Sequence, residues 1–393
     1  MKDNDKLELL LERFFNRYNK YNTKVLKVLG ETIKQFEGLT PTQAHQLAQE
    51  LKYSRTIDDL VKELARLSGQ STADVFEAFD LIAKENTEFA RAYAEAKGIP
   101  FTPYSQDSEL IQLTKAIAGQ TSATFVNLAN TQAIGFTFKG KDGRVIFKNL
   151  RQTFNDLIDE ALFNTTTGVT DYQSAMRSTI RQLADSGVKI HEYDVNYASG
   201  YNRRIDSTVR QNVLTGIRQV NLDIQKQVGR KYGADGVEVS AHEPCAVDHL
   251  PINGRQYSNA EFRQVNNALE RPVGTLNCRH FVFSIVLGVN EPEYTDEELK
   301  KMEEESQKII EYDGKKYTKY EATQEQRRLE TAIRKQKDRQ IIARSSGDLE
   351  EISKAQENIT KLSQKYVNFS QKAGLKTYKN KLVVSGYRKV KAK

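Results

Sequence analysis

VEVSAHEPCAVDHLPINGRQYS (residues 237–258) and GTLNCRHFVFSIVLG (274–288) stand apart from the rest of the 393-residue chain. Four of the seven prolines, Pro244, Pro251, Pro272 and Pro292, fall between 235 and 292, and each resists a helix interior. The stretches GVEVSA and HFVFSIVLG are rich in β-branched and aromatic residues, a composition that suits a pleated, half-buried surface. Residues 235–292 are therefore read as a small α+β domain within an otherwise helical chain.

The same stretch concentrates the reactive side chains. Five of the seven Cys and His residues lie there: His242, Cys245, His249, Cys278 and His280, spaced H-x2-C-x3-H and then, after 28 residues, C-x-H. Neutral imidazole and thiolate are the ligands that tetrahedral zinc prefers, and two close pairs joined across a loop suit a metal that fastens an irregular fold. The spacing fits no common zinc-finger template and no water-activating Glu stands at a defined offset, so a structural zinc is expected before a catalytic one. A second reading is nucleophilic: Cys278 and His280, two apart on a strand, point the same way, with His242 or His249 as alternative bases. A third has these residues knit the domain through buried hydrogen bonds, His280 acting as an interior polar clasp.

Upstream, no proline separates Pro103 from Pro244, and the gaps between prolines read as helix. Leu7, Leu11, Phe14, Tyr18 and Tyr21 alternate spacings of four and three, which places them on one helical face, read as core or as contact with a partner helix. Helical patterns continue over about 42–53, 56–68, 72–97, 107–133 and 150–187, and FTFKGKDGRVIF (136–147) predicts a hairpin before the last. Residues 199–230 read as another long helix carrying Arg203, Arg204, Arg210 and Arg218, a basic face that Asp206 and Asp223 dilute to an ordinary solvated one.

Downstream, Thr295 and Glu298 have capping-box spacing, IIEYDGKKYT (309–318) carries an Asp-Gly hairpin signal, and helices are predicted over 320–344 and 348–372. In the second of these, Ile352, Ala355, Ile359, Leu362, Tyr366 and Phe369 form a seam expected to pack on Leu329 and Ile333 of the first. The expected organisation is mainly α: an extended helical N-terminal region (1–150), a helical middle region (151–234), the α+β domain (235–292), a C-terminal helical region with a short hairpin (293–370) and a basic tail (371–393).

Hydrophobic residues make up 38% and charged residues 28% of the chain, with no Trp and a mean hydropathy of −0.64. That balance excludes disorder and suits helices with wide solvated faces. No apolar run reaches the length of a membrane span, and MKDNDKLELL lacks the features of a signal peptide, so no membrane partner and synthesis in a cytoplasm are expected. Two cysteines cannot build a disulfide framework. The formal charge of +7 sits in the tail, where Lys372, Lys376, Lys379, Lys381, Arg388, Lys389, Lys391 and Lys393 meet no acid, leaving the remainder at −1. Such a segment can neutralise phosphates and bind double-stranded DNA without reading its sequence, or it can stay solvated or dock on an acidic protein surface. KLVVSGYR (381–388) within it could form a short strand.

At the Cys/His residues the chain resembles the phage minor capsid protein 2 family, related to the Mu F-like head-morphogenesis proteins. The shared features are Ser-Ala-His at 240–242, a second His seven residues on, Gly254 before a short strand, and Asn-Cys-Arg-His at 277–280 before an apolar strand. The resemblance extends through FVNLANTQAIGF (125–136), SGYNRRIDSTVRQNVLTG (199–216) and YTKYEATQEQRRLETAIRKQKDR (317–339), about three quarters of the chain. Ala246, Ile252 and Asn253 depart from the family pattern, where Arg, Trp and Gln are common, and Cys245 stands where a small residue is frequent. The resemblance implies a structural protein of the virion, present near the portal vertex, that helps head assembly or genome packaging with the portal or major capsid protein and packaged DNA as partners. It implies no enzyme. The alternatives are a Cys/His- or metal-dependent hydrolase or toxin-like enzyme carried on a head protein, and a DNA-binding protein with no capsid role.

Overall fold

The computed structural model describes residues 4–128, 133–140, 142–168, 171–194, 197–275 and 278–390. The protein is mainly α with a small α+β part, as the sequence pattern requires. In chain order the first helices are α1 (Asn4–Gln35), α2 (Pro41–Lys52), α3 (Thr56–Phe89), α4 (Arg91–Ala96) and α5 (Ser108–Leu128). Then come β1 (Ile134–Lys139), β2 (Val145–Asn149), α6 (Leu150–Thr166), α7 (Tyr172–Ser186), β3 (Lys189–Asp194), β4 (Tyr197–Arg204) and α8 (Ile205–Lys231). The α+β part holds β5 (Gly236–Val239), a 3-10 turn at Val247–Ile252, β6 (Gln256–Ser258), α9 (Asn259–Ala268) and β7 (Val282–Ile285). The chain continues through α10 (Asp296–Gln307), β8 (Ile309–Tyr312), β9 (Lys315–Thr318), α11 (Lys319–Ser346) and α12 (Leu349–Lys372). Among the described residues no helix is long and apolar enough to cross a membrane.

Two compact units emerge, each assembled from three separate stretches: residues 1–11, 71–124 and 210–325 form one, and 12–70, 125–209 and 326–393 the other. The first unit contains the antiparallel sheet β6-β5-β7. Its core gathers Val237, Ile252, Val273, Cys278 and Val282, against which Leu222, Phe262 and Leu269 pack. Close approach within this unit needs a helix with no side chain at one point: a Cβ on Gly216 of α8 would stand 2.3 Å from Thr121 Oγ1 and 2.7 Å from Phe79 Cζ. The outer edge of β7 is closed by α8, because the Val282 amide donates to Asn221 Oδ1 (3.3 Å) and the Ser284 amide to Gln225 Oε1 (2.9 Å). These two polar residues, one turn apart, satisfy backbone donors that an exposed edge strand would leave to water or to another chain.

The second unit holds the sheet β2-β1-β3-β4. The predicted hairpin is β1–β2, paired from Gly135↔Asn149 to Lys139↔Val145. Gly135 is needed there, since a Cβ would lie 1.9 Å from the Lys148 carbonyl oxygen. The α1 stripe is core as expected: Leu11, Phe14, Tyr18 and Tyr21 are buried, and Phe14 and Tyr18 stack on Phe125 with ring centroids 6.1 and 6.4 Å apart. The side chain of Leu7, predicted for the same stripe, lies outside the described residues. The expected helical hairpin forms, with Ala355, Ile359, Tyr366 and Phe369 of α12 buried along with Leu329 and Ile333 of α11. Gln340 Nε2 donates to Gln356 Oε1 across it (3.0 Å).

Three predicted spans differ from what forms. Residues 199–230 divide into β4 and α8, because Tyr197–Arg204 completes the sheet against β3 and a sheet partner outweighs the weak helix preference of its Gly, Asn and Tyr residues. The predicted helix 150–187 breaks after Thr166: Thr165, Thr166 and Thr167 turn their hydroxyls back onto the carbonyls of Ala161, Leu162 and Phe163, and Gly168 takes φ +71°. By contrast, 56–68 and the first part of 72–97 fuse into α3, whose Ser68 and Ser71 are buried rather than marking a turn.

Candidate functional site

The polypeptide leaves β5 at Val239, crosses the Cys245 loop and tightens into the 3-10 turn, where the His249 and Leu250 amides both reach the Ala246 carbonyl (2.9 and 3.1 Å). That turn presents His249 inward and ends at Asn253, which is buried. Gly254 follows with φ +73°, and its missing side chain makes room for Leu299, which a Cβ would approach to 2.4 Å. From the other side, the Cys278 amide donates to the Thr275 carbonyl (3.0 Å), and Cys278 and His280 arrive just before β7. All five predicted residues are brought together, and Cys245, His249, Cys278 and His280 are buried while His242 is half-buried.

Their separations are short. Cys278 Sγ lies 3.5 Å from His280 Nδ1 and 3.8 Å from His249 Nδ1, and the two Nδ1 atoms are 3.3 Å apart. Cys245 Sγ lies 3.8 Å from His280 Nε2, and the His242 ring tilts against that of His280 at 4.4 Å between centroids. The potential ligand atoms form two overlapping groups, His242–Cys245–His280 and His249–Cys278–His280, each with all atoms within 4.8 Å of one another.

Three residues to which the sequence pattern assigned no role orient this cluster. His249 Nε2 sits 2.6 Å from the Arg271 carbonyl oxygen, which can only accept, so that nitrogen carries the proton. Arg271 is itself held by a two-pronged ion pair to Asp248, at 3.0 and 2.8 Å. Asn253 Oδ1 accepts from the His242 amide and from His280 Nε2, both at 3.0 Å, and the backbone donor identifies that atom as the oxygen. Ser306 Oγ accepts from the Cys245 amide (3.1 Å). None of these has a local signal, because their partners lie 11 to 61 residues away.

Burial dominates the electrostatics. It drives His280 down to about 2, helped by His242, His249 and Arg218, and His242 down to about 4, helped by the charge of Arg279. It pushes the Cys245 thiol up to about 12, with Cys278 adding to the effect. Burial also opposes charge on His249 and Cys278, but there their mutual contact prevails: the thiol falls below its ordinary range and the imidazole rises above its own, the Arg271 carbonyl contributing to the latter. A neutral imidazole at His280 and a Cys278 thiol inclined to ionise are the protonation states in which such side chains donate electron pairs.

The KLVVSGYR stretch forms no strand; a 3-10 turn at Asn380–Leu382 leads into it. It is also no free tail through residue 390. In the second unit the Ser385 carbonyl accepts from Thr23 Oγ1 (2.8 Å), the Ser385 amide donates to Asn19 Oδ1 (2.8 Å), and the Leu382 carbonyl accepts from Lys337 Nζ (2.6 Å). Val384 is buried, and Tyr387 Oη donates to Gln356 Oε1 (3.0 Å). On this strap Lys372, Lys376, Lys379, Arg388 and Lys389 are exposed and Lys381 is half-buried over the Tyr378 ring at 3.9 Å, while Lys391 and Lys393 lie outside the described residues.

The basic face predicted for 199–230 is likewise not a solvated one. Arg204 is 9% exposed and joins Asp206 and Asp338, both fully buried, and Arg218 is buried in α8.

The family model for phage minor capsid protein 2 matches residues 3–370. The chain belongs to the phage minor capsid protein 2 family. The match takes in both Cys/His segments and the C-terminal hairpin except the end of α12, and it stops before the strap. Comparison with curated proteins and with solved structures returns no match. Membership makes this minor capsid protein a structural component of a phage virion.

Proposed function

We propose that this minor capsid protein acts near the portal vertex of the head of a tailed phage, in procapsid assembly or genome packaging, in association with the portal or the major capsid protein. The observation that carries this reading is the family match over residues 3–370, which takes in every sheet and all but the end of α12. The side chains support it: Cys278, His249 and His280 are 5%, 3% and 1% exposed, so the best nucleophile and its bases are closed to a substrate, as suits a fastener rather than a catalytic pair. The exposed cations of the strap extend the proposal to packaged double-stranded DNA.

Procapsids assembled with and without the portal protein test the vertex assignment. The chain is expected to co-sediment in few copies with shells that contain the portal and to be lost from shells that lack it. Equal incorporation into both would overturn the portal assignment and favour a site on the shell lattice.

A further inference from the structure

We propose that His249 Nδ1, Cys278 Sγ and His280 Nδ1 bind a zinc ion that fastens the 3-10 turn to the strand entering the small sheet. The first argument is the direction of the lone pairs. His249 uses its Nε2 proton on the Arg271 carbonyl and His280 uses its own on Asn253 Oδ1, so in the neutral rings both Nδ1 atoms are bare acceptors. They nevertheless face each other at 3.3 Å, with Cys278 Sγ beside both. The single thiol proton can satisfy only one of them. A cation at the centre satisfies all three at once.

The second argument is metric. Bonds of about 2.05 Å to nitrogen and about 2.3 Å to sulfur, at tetrahedral angles, place two nitrogens about 3.3 Å apart and a nitrogen and a sulfur about 3.6 Å apart. The three observed edges are 3.3, 3.5 and 3.8 Å. A mixed nitrogen and thiolate set at this spacing selects zinc over the hard, oxygen-seeking divalent ions.

The third is the surrounding shell. Ligating histidines characteristically donate their other ring N–H to a carbonyl or carboxylate, which fixes the tautomer and the ring plane. His249 and His280 each donate to a carbonyl oxygen here, and Asp248 in turn anchors the residue whose carbonyl receives His249. The competing group, His242–Cys245–His280, would need His280 Nε2 as its donor, and that nitrogen already gives its proton to Asn253. Cys245 therefore stays outside the set. Because His249 and Cys278 are 29 positions apart, the ion closes a long loop that carries β6 and α9.

Elemental analysis of the full chain, purified without added metal, is expected to find one zinc per chain. Cys278→Ser and His249→Gln are expected to lose it and Cys245→Ser to keep it. Since the first two variants can fail to fold, the wild-type protein provides an independent reading: after chelation, cobalt(II) should restore a tetrahedral spectrum with the charge-transfer band of one thiolate. Backbone amides of 236–258 and 278–285 should then regain protection from hydrogen exchange. Zinc far below one per chain together with no cobalt spectrum would overturn the site. So would zinc retained by Cys278→Ser but lost from Cys245→Ser, which would move the ion to the competing group.

Discussion

Arg204→Met removes the positive centre of a buried charge cluster in the second unit while nearly conserving volume. Arg204 Nη1 donates to Asp338 Oδ2 at 2.8 Å, and Nη2 and Nε reach the two oxygens of Asp206 at 3.3 and 3.4 Å. Both carboxylates are fully buried. Once Arg204 is gone, the partners left to them among the described residues are Arg334, 3.9 Å from Asp206, the local Ser207 contacts, and the Asn22 amide, 3.3 Å from Asp338. Removing one partner of a buried pair typically costs about 3–5 kcal/mol, because a desolvated charge is left behind, and two are left here. A loss of about 4 kcal/mol is a large share of a domain's total stability.

The assay is urea unfolding followed by circular dichroism, with hydrogen exchange read over 204–209 and 334–343 to locate the loss. Adding Asp338→Asn to Arg204→Met removes one stranded charge in the same shape, and it should return more than half of the lost stability. Acidification gives a second check. Without Arg204 the folded carboxylates have raised pKa values, so the penalty is full above those values and shrinks as pH falls through them. A single-variant loss below about 1 kcal/mol, or strictly additive losses in the double variant, would refute the claim that this cluster is held by its central guanidinium.

Two further outcomes are expected. Asp107 caps α5 through the Leu110 amide (3.1 Å) and pairs with Lys231 (2.6 Å); burial works against its ionisation, but these partners hold its pKa below the ordinary value. Its contribution is thus present above the unfolded pKa and lost as pH falls through the lower folded one, so Asp107→Ala should cost about 1–2 kcal/mol at neutral pH, narrowing in acid, as chemical denaturation across pH will show. Because the strap is docked through Val384, Ser385 and Tyr387, its charges should be tested by substitution rather than deletion. Changing Lys372, Lys376, Lys379, Arg388 and Lys389 to Gln should leave the circular dichroism intact and weaken DNA retention on filters. The log–log salt slope should flatten by about 0.9 for each phosphate no longer neutralised, and an unchanged slope would remove the strap from DNA binding.

How far the site was legible depended on residue rarity. Histidine and cysteine are so few in this chain that five falling within one small region mark it without any structure. Long amphipathic helices were equally legible, since the α1 stripe and the α11–α12 hairpin repeat one rule over many turns. The capping box at Thr295 and the β8–β9 hairpin, whose turn residues Asp313 and Gly314 take positive φ, were legible because each needs only four consecutive positions. β3 and β4 were not, because KIHEYD and YASGYNRR become strands only by pairing with each other and with β1.

The composition and periodicity of this sequence were enough to determine a mainly helical chain interrupted by a proline-rich α+β insertion, and where its cysteines and most of its histidines cluster. Those properties depend on neighbours within a few turns of chain. Only the tertiary structure decided that Asn253 and the Arg271 carbonyl point both Nδ1 atoms at Cys278, that Arg204 is buried between two aspartates rather than solvated, and that the basic end is strapped to α1 and α11. Asp206 apart, which is two residues from Arg204, each of these rests on partners 22 to 366 residues apart, whose meeting is set by packing and by the need to satisfy buried polar groups, and no local rule encodes it.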